Sequence, residues 1–242
     1  MDIYRYLKRF FDLLFSGIGL LLLAPLFLVV AIIIACDSKG PVFFVHQRMG
    51  RDGVPFNIYK FRTMVQEAPK DMATSQFHKA EDFITRPGKW LRRLSIDELP
   101  QLINVFKGDM SLIGPRPVVL TEKNLIRIRH ELGADRVLPG LSGWAQVHGR
   151  DDVDYRAKAK LDAYYAQHIG FVIDLKIFFM TIWYVLTGKG IREGSSGDDS
   201  AAVTAPLMSA PETEETEETE DQDRQPVQRR MQPVLETNDP KH

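Results

Sequence analysis

The sequence predicts an α+β fold that is mainly helical: an N-terminal re-entrant membrane helix-break-helix, a small β-hairpin, and amphipathic helices on the membrane surface. Three observations lead there. An uncharged apolar run extends from Leu13 to Cys36. Two β-prone runs flank the turn-rich RMGRDG, and helical patterns separated by Gly- and Pro-rich turns follow as far as Thr187.

The apolar run, at about 1.5 Å per residue, is long enough to cross a bilayer core of about 30 Å. Pro25 lies near its middle and divides it into two arms, each roughly half the bilayer thickness. Arg5, Lys8 and Arg9 precede the run and Lys39, Arg48 and Arg51 follow it, so the positive-inside rule draws both ends toward the cytoplasm. A helix that dips in, breaks at Ala24-Pro25 and returns satisfies both flanks; a proline-kinked spanning helix is the alternative from hydropathy alone. Backbone groups freed by Pro25 need partners in lipid, and Ser16 is a candidate. Ile33-Ile34-Ala35-Cys36 resembles a lipoprotein box, but that reading exports the basic domain and leaves Asp12 and Pro25 without purpose.

Val42 to Gln47 and Val54 to Arg62 read as the strands of the hairpin. Lys60 and Arg62 end its second strand, where they face a substrate phosphate or headgroups, or form an ordinary solvated edge. Val65 to Phe83 is polar and poorly periodic, which predicts a mobile loop able to close over a site. Helices are predicted near Gly88 to Arg93, Pro100 to Phe106 and Val118 to Glu131. The turn Pro139 to Trp144 leads into Ala145 to Arg150, where Gln146 and Arg150 are candidates to meet a nucleotide or diphosphate, and Trp144 reads as a core or interfacial residue. Tyr155 to His168 and Asp174 to Thr187 complete the helices; the last is aromatic yet shorter than a span, and fits the interface or the hydrophobic anchor.

The most informative stretch is RRLSIDELPQLINVFKGDMSLIGPRP, from Arg92 to Pro117. Adjacent Asp97 and Glu98 supply a nucleophile or cation ligands, the following helix start favours an anion, and Arg116 can grip phosphate oxygens bidentately. Ser95 to Glu98 also fits a capping box. Against that, Pro100 suits the first helical position and leaves both carboxylates in the turn ahead of the helix.

Charge divides the chain. Residues 193–242 hold thirteen acidic against four basic residues, a net of −9, so the −1 of the whole 242-residue chain leaves +8 on residues 1–192. A basic body calls for an anionic partner. The tail, with its ETEETEETE run, has too few apolar residues to offset its ordering entropy and is predicted to be disordered. The lone Cys36 excludes an intramolecular disulfide and a cysteine-based zinc site, and no Walker loop or dinucleotide fingerprint is present. No recognised nucleic-acid-binding motif accompanies the charge.

Taken together, these segments resemble the bacterial sugar transferase family of monotopic phosphoglycosyl transferases. The resemblance runs in order through nearly all of residues 4–190: KRFFDLLFS from Lys8, GPVFFVHQRMG from Gly40, YKFRTM from Tyr59, the DELPQLINVFKGDMSLIGPRP block, PGLSGWAQVHGR from Pro139, and KLDAYYAQHIGFVIDLKI from Lys160. It implies transfer of a sugar 1-phosphate from a UDP-sugar to undecaprenyl phosphate, with release of UMP. Asp97 matches the nucleophile, Glu98 its partner in a dyad working with Mg2+, and Arg116 a phosphate ligand. It also implies a bacterial inner-membrane protein with the catalytic domain on the cytoplasmic face, bound to phospholipid and not to nucleic acid. The expected organisation is a re-entrant anchor over 1–38, a catalytic domain over 39–191 and an acidic tail over 192–242, a minimal unit beside longer relatives that carry extra membrane helices. The family's break often has Ser before the proline, where this chain has Ala24. Direct transfer through a ternary complex and a non-catalytic membrane scaffold are the rival readings. Donor sugar and oligomeric state have no sequence signature.

Overall fold

The structure is a computed structural model that describes residues 2–66, 68, 83–148 and 154–187. Most of the expected loop over Val65 to Phe83, the candidate Arg150 and the acidic tail therefore lie outside the described residues.

Helix α1 runs from Asp2 to Asp37 and contains Pro25. The expected helix-break-helix is thus one continuous helix: a proline removes a single N–H, that facing the carbonyl of Leu21, and the hydrogen bonds on either side keep the turn helical. Ser16 does not serve the freed carbonyl, because its hydroxyl is buried and donates to Leu13 at 3.3 Å. Within the described residues, α1 is the one helix long and apolar enough to cross a membrane.

Strands β1 (Phe43–Met49) and β2 (Pro55–Phe61) form the antiparallel hairpin, with Phe43 opposite Phe61 and Met49 opposite Pro55. The turn closes through left-handed Asp52 (φ 55°) and Gly53 (φ 73°), the Asp-Gly pair that RMGRDG provides. Helix α2 (Arg86–Arg93) starts on a Thr85 cap whose hydroxyl accepts from Gly88 N–H at 3.0 Å. A 3-10 turn over Ile96–Glu98 then leads into α3 (Gln101–Lys107).

Two short strands not anticipated from the sequence, β3 (Ser111–Ile113) and β4 (Gly140–Ser142), pair in parallel. Three residues each, embedded in Gly/Pro turns, leave no periodicity to read. Helix α4 spans Lys123–Glu131, shorter than expected, because Val118 and Val119 extend the hairpin instead: Met49 N–H donates to the Val118 carbonyl at 2.9 Å and Arg48 bridges Val119. Helices α5 (Trp144–Val147), α6 (Tyr155–Gln167) and α7 (Phe171–Thr187) follow.

The body grips α1 along its length. Near its start, Lys8 and Tyr4 donate to Asp174 at 2.6 and 2.7 Å, Arg9 caps the last carbonyls of α3 at Val105 and Phe106, and Asp12 accepts from Leu112 N–H at 2.9 Å. Near its end, Val30 and Ile34 pack on Phe61 and Leu91. The main core lies behind β3, where Ile113, Val137, Val147, Tyr165 and Ile177 cluster.

Candidate active site

The acidic pair sits where three segments converge: β2, the 3-10 turn and the loop after β3. Ser95 is left-handed (φ 56°) and makes no side-chain cap, so the capping box is not formed. It reverses the chain out of α2. Pro100 (φ −61°) immediately precedes α3, which leaves Asp97 and Glu98 in the turn ahead of the helix, as its ring geometry predicts.

Asp97 is 5% exposed. Glu98, its side chain 18% exposed, accepts from Lys60 Nζ at 2.7 Å and from Arg116 Nη2 and Nη1 at 2.7 and 3.2 Å. Burial alone would push Glu98 up, but the Arg116 guanidinium and then the Lys60 ammonium hold its carboxyl well below the usual carboxylate range. Glu98 is therefore ionised at neutral pH and orients two cations on the residue that follows Asp97 in the chain.

Backbone packing fixes the segment carrying Arg116. Gly114 N–H donates to Ser142 at 2.8 Å and Gly140 N–H to Pro115 at 2.9 Å. A Cβ on Gly140 would lie 2.1 Å from Gly114 N, and one on Gly114 would lie 2.3 Å from the Leu138 carbonyl, so the two strands approach as only glycines permit. The backbone of β2 next to Lys60 is tied to α3 by fully buried Asn104, which accepts from Tyr59 N–H at 3.0 Å and donates to the Asn57 carbonyl at 2.7 Å.

The other candidates lie elsewhere. Arg62, one residue past β2, is buried and caps the end of α1, donating to the carbonyls of Ile34, Ser38 and Lys39. Alternation would give Arg62 the same face as Lys60; it lies past the end of β2, where the C-terminal carbonyls of α1 take its guanidinium instead. Gln146 donates to the Leu141 carbonyl within its own turn at 3.3 Å, and its buried Oε1 has no partner among the described residues. Trp144 is half-buried, with the His148 ring 3.8 Å away and Lys176 Nζ 5.1 Å above its own ring. Ala24 and Pro25 are residues within α1.

Magnesium is tested by the donor set. Among the described residues no group of three or more His, Cys, Asp or Glu side chains could hold a metal. Mg2+ commonly takes one or two carboxylates and fills its octahedron with water and substrate phosphates, and the adjacent Asp97 and Glu98 fit that pattern. Sequence reading missed Asn104, Arg129 and Asp162, which resemble ordinary helix polar residues until the helices are packed.

The bacterial sugar transferase family model matches residues 3–188. A UDP-N-acetylgalactosamine-undecaprenyl-phosphate N-acetylgalactosaminephosphotransferase of Aeromonas hydrophila is 44% identical over 196 residues, covering 78% of this chain and 46% of that protein. An undecaprenyl-phosphate glucose phosphotransferase of Komagataeibacter xylinus is 43% identical over 187 residues, covering 72% and 35%. This chain thus spans less than half the length of either. An uncharacterized sugar transferase, EpsL, of Bacillus subtilis is 40% identical over 193 residues, covering 77% of this chain and 91% of its own length. With the family match extending over most of its residues, the chain belongs to the bacterial sugar transferase family.

Proposed function

We propose that the protein transfers a sugar 1-phosphate from a UDP-sugar to undecaprenyl phosphate, releasing UMP. The observation that carries this reading is the Lys60–Glu98–Arg116 cluster next to buried Asp97: a carboxylate nucleophile placed beside two oriented cations suits attack on a diphosphate. The relatives' names, which include undecaprenyl-phosphate sugar phosphotransferases, support the same reaction.

An Asp97 carboxylate oxygen attacks the β-phosphorus as the bond to the bridging oxygen breaks, and UMP leaves with that electron pair. The sugar phosphate stays on Asp97 as an acyl phosphate ester. A phosphate oxygen of undecaprenyl phosphate then attacks the same phosphorus and expels the carboxylate, regenerating Asp97 and forming the polyprenyl-diphosphate sugar. Arg116 and Lys60 face the charge on the non-bridging oxygens, and Glu98 holds both in place. Asp97 and Glu98 are the residues that would hold Mg2+, which when bound would supply charge neutralisation.

The same fold supports the membrane reading. Straight, the helix from Lys8 to Ile34 would span ~39 Å, yet both ends of α1 bond to one body, at Asp174 and at Arg62. That supports a re-entrant α1, bent at Pro25, over a span that parts its two ends. Helix α7 exposes Phe171, Val172, Phe179, Trp183 and Leu186, and α2 exposes Trp90 beside Arg93; both suit an interfacial position on the cytoplasmic face of the inner membrane. There the site can meet a soluble nucleotide sugar and a lipid phosphate.

The test is to mix the protein with a UDP-sugar and Mg2+, omit the lipid, and examine intact mass and UMP. A phosphosugar adduct on Asp97 with stoichiometric UMP is expected. UMP release that occurs only when the lipid is added, with no adduct, would assign the direct ternary-complex reaction instead.

A further inference from the structure

Behind the Arg116 segment, α4 and α6 meet around a buried ion pair. Arg129 is 7% exposed and Asp162 1% exposed, and Nη2 of the first bonds Oδ2 of the second. Nη1 of the same guanidinium donates to the backbone carbonyl of Arg116 at 2.9 Å. Arg116 is therefore held twice, its carbonyl by Arg129 and its guanidinium by Glu98. One helical turn beyond Asp162, on the same face of α6, the buried Tyr165 hydroxyl lies 3.1 Å from the Ile113 carbonyl and 2.7 Å from Asp174. A single face of α6 thus supports both ends of the short segment from Ile113 to Arg116.

The pair is an unfavourable choice for stability alone. Burial pushes the Asp162 carboxyl up, against the pull of Arg129, and apolar residues of similar volume often replace a buried ion pair without loss of stability. What apolar residues do not supply is an N–H aimed at the Arg116 carbonyl. The geometry also needs a fork: one prong lies on Asp162 and the other on Arg116, which the single ammonium of a lysine cannot reproduce.

We propose that Asp162 and Arg129 are positioning residues for the transfer reaction. Asp162 fixes the Arg129 guanidinium, and Arg129 fixes the Arg116 backbone so that the Arg116 guanidinium meets the diphosphate of the nucleotide sugar. This role rests on the reaction proposed above.

The test is a double-mutant cycle on UMP release with the full chain, a UDP-sugar, Mg2+ and undecaprenyl phosphate. Arg129→Lys is expected to lower kcat/KM by about 10- to 100-fold, the scale of a misplaced reacting or binding group. In an Arg116→Lys background, where the positioned guanidinium is already gone, the same change is expected to cost less than about threefold. Equal losses in both backgrounds would overturn the proposal, because a purely structural pair acts irrespective of residue 116. Arg129→Met combined with Asp162→Leu fills the core without the fork. It is expected to melt close to wild type and still lose activity; normal turnover by that folded variant would also overturn the proposal. A wild type that releases no UMP refutes the reaction itself and the role with it, whereas an active wild type with an additive cycle overturns the positioning role alone.

Discussion

Glu98→Gln removes the charge on which two cations converge while preserving side-chain size. Lys60 Nζ and Arg116 Nη2 each lie 2.7 Å from Glu98 Oε1 in a site where that side chain is 18% exposed. Hydrogen bonds to charged groups contribute about 1.5–3 kcal/mol each, and removing one partner of a buried pair costs about 3–5 kcal/mol. Glutamine keeps one acceptor oxygen and relieves repulsion from Asp97, worth on the order of 1 kcal/mol, so the net loss is about 1–3 kcal/mol. At roughly 2–4 °C per kcal/mol for a chain of this size, the melting temperature falls by about 2–12 °C. The assay is thermal melting in detergent without nucleotide sugar or magnesium. The folded-state pKa of Glu98 is depressed, so its contribution is complete above the unfolded carboxylate value of about 4.3 and is lost only as pH falls through the lower folded value. The difference between wild type and Glu98→Gln is therefore flat across neutral pH and narrows below about pH 4. A variant more stable than wild type at pH 7 would mean that Asp97–Glu98 repulsion outweighs the cation pairs, and would refute the clamp.

Three further changes test how the site is held. Arg62→Met strips the carbonyl caps at Ile34, Ser38 and Lys39, and is expected to cost about 2–4 kcal/mol of stability with the KM for UDP-sugar unchanged; a raised KM at an unchanged Tm would return Arg62 to the substrate site. Asp174→Asn removes the carboxylate bonded to Lys8, so hydrogen exchange in the first turns of α1 is expected to rise and stability to fall by about 3–5 kcal/mol; unchanged protection there would show that the N-terminal arm is held without this ion pair. Gly114→Ala forces a Cβ to within 2.3 Å of the Leu138 carbonyl, and the displaced Arg116 is expected to lower UMP release by about 100-fold, whereas normal turnover would show that the close approach is dispensable.

The parts legible in the sequence were those set by local chemistry. Two β-prone runs around the turn-rich RMGRDG placed the hairpin, and the fixed φ of Pro100 placed the two carboxylates ahead of α3. Less legible were features decided by packing. Pro25 announces a lost hydrogen bond but does not say whether the helix stops or continues, and here it continues. Lys60 and Arg62 are equivalent as basic strand residues; only the position of α1 sends Arg62 to its C-terminal carbonyls and leaves Lys60 on Glu98. The ion pair between Arg129 and Asp162 joins helices 33 residues apart, and no local pattern links them. The parallel pairing of β3 with β4 depends on glycine backbones in contact, visible in sequence only as turn-forming composition.

The most direct measurement is UMP release by the full chain in detergent, with undecaprenyl phosphate, Mg2+ and a panel of UDP-sugars, for wild type beside Asp97→Asn. Release that depends on a UDP-sugar and the lipid phosphate, and that disappears in a folded Asp97→Asn protein, is the predicted result. Near-normal release from that folded variant would contradict the assignment of Asp97 as the nucleophile and, with it, the chemistry proposed for this site.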